Sequence, residues 1–191
     1  MRFMKRFLLP FIAILFLAAC GDEDTTPVVN KDTDNSAEES VESAYPKTFV
    51  DGRGKEVTFN EKPTKIVSTT LAVDEFLVDL VAPENILAVT QMSTDAGISN
   101  VAGKTDAIET KFETVTAEQV LALNPDLVII PSYVSGEVLD QIENAGITTY
   151  QVVDDSSFEG ILKTVETLGQ IVGEEENAAA LVADIKKQID T

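Results

Sequence analysis

The sequence has no histidine, no tryptophan and a single cysteine, Cys20. Without histidine there can be no Ser–His–Asp triad, no Cys–His nucleophile pair and no mixed Cys/His zinc site. One cysteine cannot build a disulfide scaffold. Positive charge is also scarce. Lys and Arg number 14 against 33 Asp and Glu, a formal net charge of −19. Nucleic-acid recognition needs a basic face, and none can be drawn, so no nucleic-acid partner is expected. Long hydrophobic runs are missing too. Residues 7–18 form an apolar stretch whose helix would rise only about 18 Å, against a bilayer core of about 30 Å. What is present is 191 residues, 44% of them hydrophobic. That suffices for one sizeable core and is a little short for two. A carboxylate enzyme, a cofactor-free binding module, or a protein whose chemistry lies in its ligand all remain open.

The N-terminus reads as a signal. Arg2, Lys5 and Arg6 precede the apolar residues 7–18, which are interrupted only by Pro10, so residues 1–19 are expected to be a secretory signal peptide. The segment ends in Leu17-Ala18-Ala19-Cys20. This resembles the lipobox of bacterial lipoproteins, which implies a diacylglyceryl group on Cys20 and cleavage before it. The plainer reading is an ordinary signal peptide with an incidental cysteine. Residues 20–45 carry Asp22, Glu23, Asp24, Asp32, Asp34, Glu38, Glu39 and Glu42 against Lys31 alone. Dense like charge with little hydrophobicity predicts a disordered tether. The expected location is the cell membrane, lipid-anchored on the extracytoplasmic face.

Strand and helix signals then alternate. Residues 48–50 and 55–59 read as short strands around the turn Asp51-Gly52-Arg53-Gly54, and Pro63 closes the hairpin. Residues 65–68 read as a strand. Asp74 is expected to cap a helix to about Val81, stopped by Pro83. Residues 86–89 are the next strand. Residues 91–113 show no period and carry Gly97 and Gly103, which predicts mostly loop. Thr116-Ala117-Glu118-Gln119 is a capping box for a short helix to Leu123, ended by Pro125. Asp126-Leu127-Val128-Ile129-Ile130 suits a strand covered on both faces. A helix over residues 136–145 should stop at Gly146. Residues 148–153 form another strand, and Ser156-Ser157-Phe158-Glu159 reads as a second capping box. Phe158, Ile161, Leu162, Val165, Leu168 and Val172 make one helical stripe ending before Gly173. A last helix starts at Glu174, with Glu175 and Glu176 favourable for its dipole.

The pattern predicts an α/β fold with a parallel sheet and crossover helices on both faces, led by a small hairpin. Ligands of such sheets sit at the carboxyl ends of the strands. Residues 69–73, 90–112, 131–135 and 154–156 occupy that position. None is glycine-rich like a phosphate-binding loop, so a nucleotide has no motif support.

From about Tyr45 onward the chain resembles the N-terminal lobe of iron–siderophore/cobalamin-type substrate-binding proteins of ABC importers. The hairpin Asp51-Gly52-Arg53-Gly54-Lys55-Glu56-Val57 is similar to the family's opening motif. Pro63-Thr64-Lys65-Ile66-Val67 and Asp74-Glu75 follow in order. The most specific piece runs from Glu118 through Leu121-Ala122-Leu123-Asn124-Pro125-Asp126-Leu127-Val128-Ile129. The resemblance implies a lobe over residues 46–173 and the start of a long interdomain helix over residues 174–191. The second lobe is absent from the sequence, which is expected to be a truncated chain. It also implies a non-enzymatic role without a resident cofactor or protein-bound metal: capture of an iron–siderophore complex for an ABC permease. Cobalamin or haem is the alternative.

The resemblance carries residues over one by one. Glu118 matches the glutamate that docks on permease arginines; as a bare residue it is a first-turn acid favouring the helix dipole. Thr69, Thr70, Leu71 and Ala72 match the first cleft loop. Met92 and Phe112 fall where some cobalamin binders place cleft side chains, and ordinary packing is the competing reading. Tyr133, just past a strand, offers a ring and a hydroxyl to a large ligand. Tyr150, within a strand, is expected in the core. Lys104 and Lys111 are the best loop cations, with a solvated loop charge as the simpler role. Asp154 with Asp155 keeps an enzyme reading open as an acid–base pair. A lipid-tethered interaction protein that binds no solute is a third reading.

Overall fold

A computed structural model describes residues 45–189. The expected signal peptide, the lipidation of Cys20 and all but the last residue of the tether lie outside these residues. Among the described residues no helix is long and apolar enough to cross a membrane.

The described chain begins with an antiparallel hairpin, β1 (Lys47–Val50) and β2 (Glu56–Phe59). The βα alternation follows: β3 (Ile66–Ser68), α1 (Leu71–Leu80), β4 (Ile86–Thr90), β5 (Thr110–Phe112), α2 (Ala117–Ala122), β6 (Leu127–Ile130), α3 (Gly136–Asn144), β7 (Thr148–Gln151), α4 (Phe158–Val172) and α5 (Glu175–Ile189). The five later strands form one parallel sheet in the order β5-β4-β3-β6-β7. The chain runs outward from β3 to β5, then returns to place β6 on the other side of β3. This reversal creates a crevice at the carboxyl ends of β3 and β6, where open α/β sheets bind ligands.

Alternate residues of each strand serve opposite faces. Ile66, Leu127 and Ile129 join Leu77, Leu80, Leu168 and Val182 in the core beneath α1, α4 and α5. Val67, Val128 and Ile130 join Val120, Ile142 and Phe112 beneath α2 and α3. Both faces are therefore covered, as the unbroken apolar strand at 127–130 predicts.

The hairpin covers the edge of β7. Gly52 N donates to Gln151 O at 2.8 Å. A Cβ on Gly52 would stand 2.5 Å from Val152 O, so this close approach requires glycine. Arg53 fixes the turn, donating to Asp51 through Nε at 2.7 Å and to Glu143 through Nη1 at 2.9 Å. Burial works against the ionised carboxylates, yet the donors win. Arg53 and the backbone of Lys55 hold Asp51 below its ordinary range. Thr149, Lys55 and Arg53 hold Glu143 down to about 2.

Three local expectations are corrected. Asp74 is not a cap: Thr70 occupies that position and Asp74 lies buried further along α1. Residues 91–113 are not all loop, because residues 110–112 form edge strand β5 beside β4. Three residues are too few to show a period. Helix α4 is capped by Ser157 rather than Ser156, with Gly160 N donating to Ser157 Oγ at 3.0 Å. Asp155 closes on this first turn, accepting from Ser157 N at 3.0 Å, and only glycine at 160 leaves it room.

Other boundaries agree with their signals. Thr116 caps α2, accepting from Gln119 N. Gly146 and Gly173 take the left-handed conformation past α3 and α4. Asn124 does so before Pro125.

Candidate ligand cleft

Two loops meet at the crevice. After β3, Thr69 is tied back to the sheet: its N–H and its hydroxyl both donate to Ile129 O, at 3.2 and 3.0 Å. After β6, Tyr133 projects outward and is 75% exposed. Its hydroxyl donates to Thr70 Oγ1 at 3.5 Å, spanning the two loops. The ring stands between two open hollows and lines both. The first, about 340 Å³, is bounded by Thr70, Ala72, Phe76, Val152, Asp154 and Tyr133 among others. The second, about 390 Å³, is bounded by Thr69, Gln91, Met92, Phe112, Glu113 and Tyr133 among others.

The predicted cleft residues thus divide. Thr69, Met92 and Phe112 line one hollow, Thr70 and Ala72 the other, and Tyr133 joins them. Leu71 lines neither; it is half-buried at the start of α1. Met92 is a rim residue, 47% exposed, whereas Phe112 is 3% exposed and belongs to the core beneath α2 and α3. For Phe112 packing is the main role, with one edge forming floor. Tyr150 is buried in the core, as expected. Glu118 is exposed in the first turn of α2. That turn follows the carboxyl end of β5, so it lies on the same edge of the lobe as the cleft loops.

The lysines do not face the hollows. Lys104 pairs with Asp79 at 2.5 Å. Lys111 turns its ammonium onto Ile108 O. Asp154 accepts from Ser132 Oγ at 3.2 Å. The Ser157 side chain and N–H hold Asp155 below its ordinary range. Asp155 thus shapes the turn before α4 while Asp154 meets the loop after β6, and among the described residues no group of three metal-capable side chains occurs.

Asp74, expected as a helix cap, is instead a buried carboxylate. Asp74 Oδ2 accepts from Thr90 N at 3.0 Å and Thr90 Oγ1 at 2.5 Å. Its Oδ1 is buried without a hydrogen-bond partner among the described residues. Burial pushes this carboxyl up, and the Ser68 hydroxyl and the two Thr90 donors only partly offset it. Asp74 thereby fastens α1, which follows the first cleft loop, to the end of β4, where the next loop starts. Ser93 Oγ continues the chain by donating to Thr90 O at 2.8 Å. The signal was available in the helical period. Position 74 shares a face with Val73, Leu77 and Leu80, so an acid there had to be buried.

The fold and the crevice define a class: an α/β ligand-binding lobe presenting one wall of a cleft at the carboxyl ends of its strands. Residues 66–191 match the family described as "Periplasmic binding protein", and the chain belongs to it. This is a family of solute binders rather than enzymes. The chain is 29% identical over 181 residues to the uncharacterized ABC transporter substrate-binding lipoprotein YvrC of Bacillus subtilis strain 168, covering 93% of this chain and 54% of that one. It is 23% identical over 146 residues to a cobalamin-binding protein of Halobacterium salinarum, covering 76% and 39%. The crystal structure of the heme-binding protein HmuT superposes with a TM-score of 0.58 and 28% identity, covering 73% of this chain and 45% of that one. The chain therefore spans about half the length of the relatives it matches.

Proposed function

We propose that this chain contributes one wall of the binding cleft of an extracytoplasmic substrate-binding lipoprotein that captures a large metal complex for an ABC importer. A tetrapyrrole-type ligand, cobalamin or haem, is favoured over the iron–siderophore expected from sequence, because cobalamin and haem are the solutes named for the relatives described above. The carrying observation is Tyr133, exposed between two hollows at the crevice. A flat macrocycle can lie on such a ring while its rim enters both hollows. One wall covers one side of a ligand, which agrees with a chain half the length of its relatives.

Titration of the 191-residue chain with cyanocobalamin, haem and a ferric trihydroxamate, followed by visible absorbance, tests the reading. Saturable binding of one of the macrocycles is expected. Tyr133→Ala should weaken it by about fivefold to tenfold. No saturable binding of any probe would overturn it.

Two further roles belong to this reading. Cys20 carries the lipid anchor, with two or three acyl chains holding the protein on the membrane. Cys20→Ala should lose acyl labelling and leave the membrane fraction; retained labelling would refute the lipobox. Glu118 offers an exposed carboxylate to a guanidinium fork on the permease. In the longer, transport-competent protein Glu118→Lys should abolish uptake, and full uptake would exclude the docking role.

A further inference from the structure

The cleft wall holds carboxylates and no cation. Asp154 and Asp155 line the first hollow and Glu113 the second, and among the described residues neither hollow is lined by a lysine or arginine. The surrounding cations are engaged elsewhere. Lys104 is spent on Asp79, Lys111 on Ile108 O, and Arg53 on Asp51 and Glu143 in the hairpin clamp. Lys163 lines the adjoining groove between β1 and α4, and its charge acts on Asp155, which the groove shares with the first hollow. Asp154 and Glu113 have no ion-pair partner among the described residues; Asp154 has only the Ser132 hydroxyl.

Uncompensated carboxylates beside a concave, low-dielectric surface focus a negative potential on the space in front of them. An anionic complex approaching this wall meets repulsion and finds no ammonium or guanidinium fork to receive its carboxylates or catecholate oxygens. A complex whose rim is amide and whose net charge is zero or positive meets no such penalty. The hydroxyls of Thr70, Ser132 and Tyr133 can exchange hydrogen bonds with its amides.

We propose that this wall selects against anionic ligands, with Asp154 and Glu113 setting the selection. Resting on the ligand-binding reading above, the favoured solute is an uncharged or cationic complex with a polar amide rim, such as a corrinoid. A porphyrin dicarboxylate and a ferric tricatecholate are disfavoured.

Equilibrium dialysis of the 191-residue chain against cyanocobalamin, a cationic ferric trihydroxamate, haem and a ferric tricatecholate tests this. The uncharged and cationic probes should bind more tightly than the two anions. Coulomb's law at about 10 Å, in the dielectric of water and screened at about 0.05 M salt, makes each carboxylate worth about threefold against a trianion. Asp154→Asn and Glu113→Gln should each raise the tricatecholate-to-cobalamin affinity ratio by about that factor. On the wild-type chain, raising salt from about 0.05 to about 0.5 M should narrow the same gap by screening. Tighter binding of either anion by the wild-type chain, or a ratio unmoved by both variants and by salt, overturns the charge selection while leaving the metal-complex reading standing. Failure of every probe to bind overturns both.

Discussion

The two ends of this lobe treat charge in opposite ways. At the β7 edge, Asp51, Arg53, Lys55 and Glu143 meet in a mutually compensating cluster. At the crevice, Asp154 and Glu113 line open hollows without a cation among the described residues, and Asp74, buried against Thr90, keeps one oxygen without a hydrogen-bond partner among them. The β7 edge is a joint between two pieces of chain, and paired charge there gives the hairpin one docked position. The crevice is a surface for something else. On the charge selection proposed above, the carboxylates there remain available to discriminate among ligands. This division accords with a rigid scaffold carrying a tuned site.

The largest expected effect breaks the joint. Gly52→Ala puts a methyl 2.5 Å from Val152 O, a backbone atom that cannot swing away. The hairpin must lift from β7, and the Gly52 N–Gln151 O bond is lost with it. We expect about 2–3 kcal/mol of destabilisation in urea unfolding of the chain. Loss of less than about 0.5 kcal/mol would mean that the hairpin is not integral to the lobe.

A middle-sized effect follows from pH. Glu143 is held at about 2 in the folded lobe, against an ordinary value of 4.5. A depressed carboxylate contributes stability that is present above its unfolded value and lost as pH falls through its folded one. The window is therefore from about pH 4.5 down to about 2. Screening at this half-buried site reduces the contribution to about 1–2 kcal/mol. Glu143→Gln should flatten that part of the stability profile measured by denaturant titration at each pH. An unchanged slope would show that the cluster contributes no net stability.

How far these two ends could be read from sequence differs for a physical reason. The hairpin turn, the strands at 127–130 and 148–151, the short helix opened by Thr116 and the glycine stops of α3 and α4 are local events, decided by residues within a few positions. The crevice residues Thr69, Thr70 and Tyr133 were legible because a strand's carboxyl end is a fixed landmark. Other features are tertiary. The engagement of Lys104 by Asp79 spans 25 positions, and that of Arg53 by Glu143 spans 90. Neither has a local mark, so the partners of Lys104 and Arg53 could not be read from their neighbours in sequence. Strand β5 shows itself only through its pairing with β4. Leu71 was placed in the cleft by its loop, yet the first turn of α1 rotates it out of both hollows.

The smallest effect, and the one that sharpens the contrast most, is that of Asp74→Asn. Its carboxyl is pushed up by burial, the opposite of Glu143. A raised carboxylate stabilises the fold below its unfolded value, and that contribution is lost as pH rises through the folded value. Ionising this side chain in the folded lobe is thus a cost. Asp74→Asn removes the charge while its carbonyl oxygen can still accept from Thr90 N and Oγ1. The variant should be unchanged to more stable by up to about 1 kcal/mol at pH 7. Asp74→Ala is the discriminating partner. It strands the buried Thr90 N–H and should cost about 1–3 kcal/mol. The two acids also oppose each other in the wild-type profile: acidification weakens the lobe through Glu143 and strengthens it through Asp74. Removing the second with Asn should therefore steepen the acid loss, whereas removing the first should flatten it. If Asp74→Asn instead costs as much as Asp74→Ala, the ionised carboxylate is itself a stabilising element, and the two ends of the lobe are less different than their charge pairing indicates.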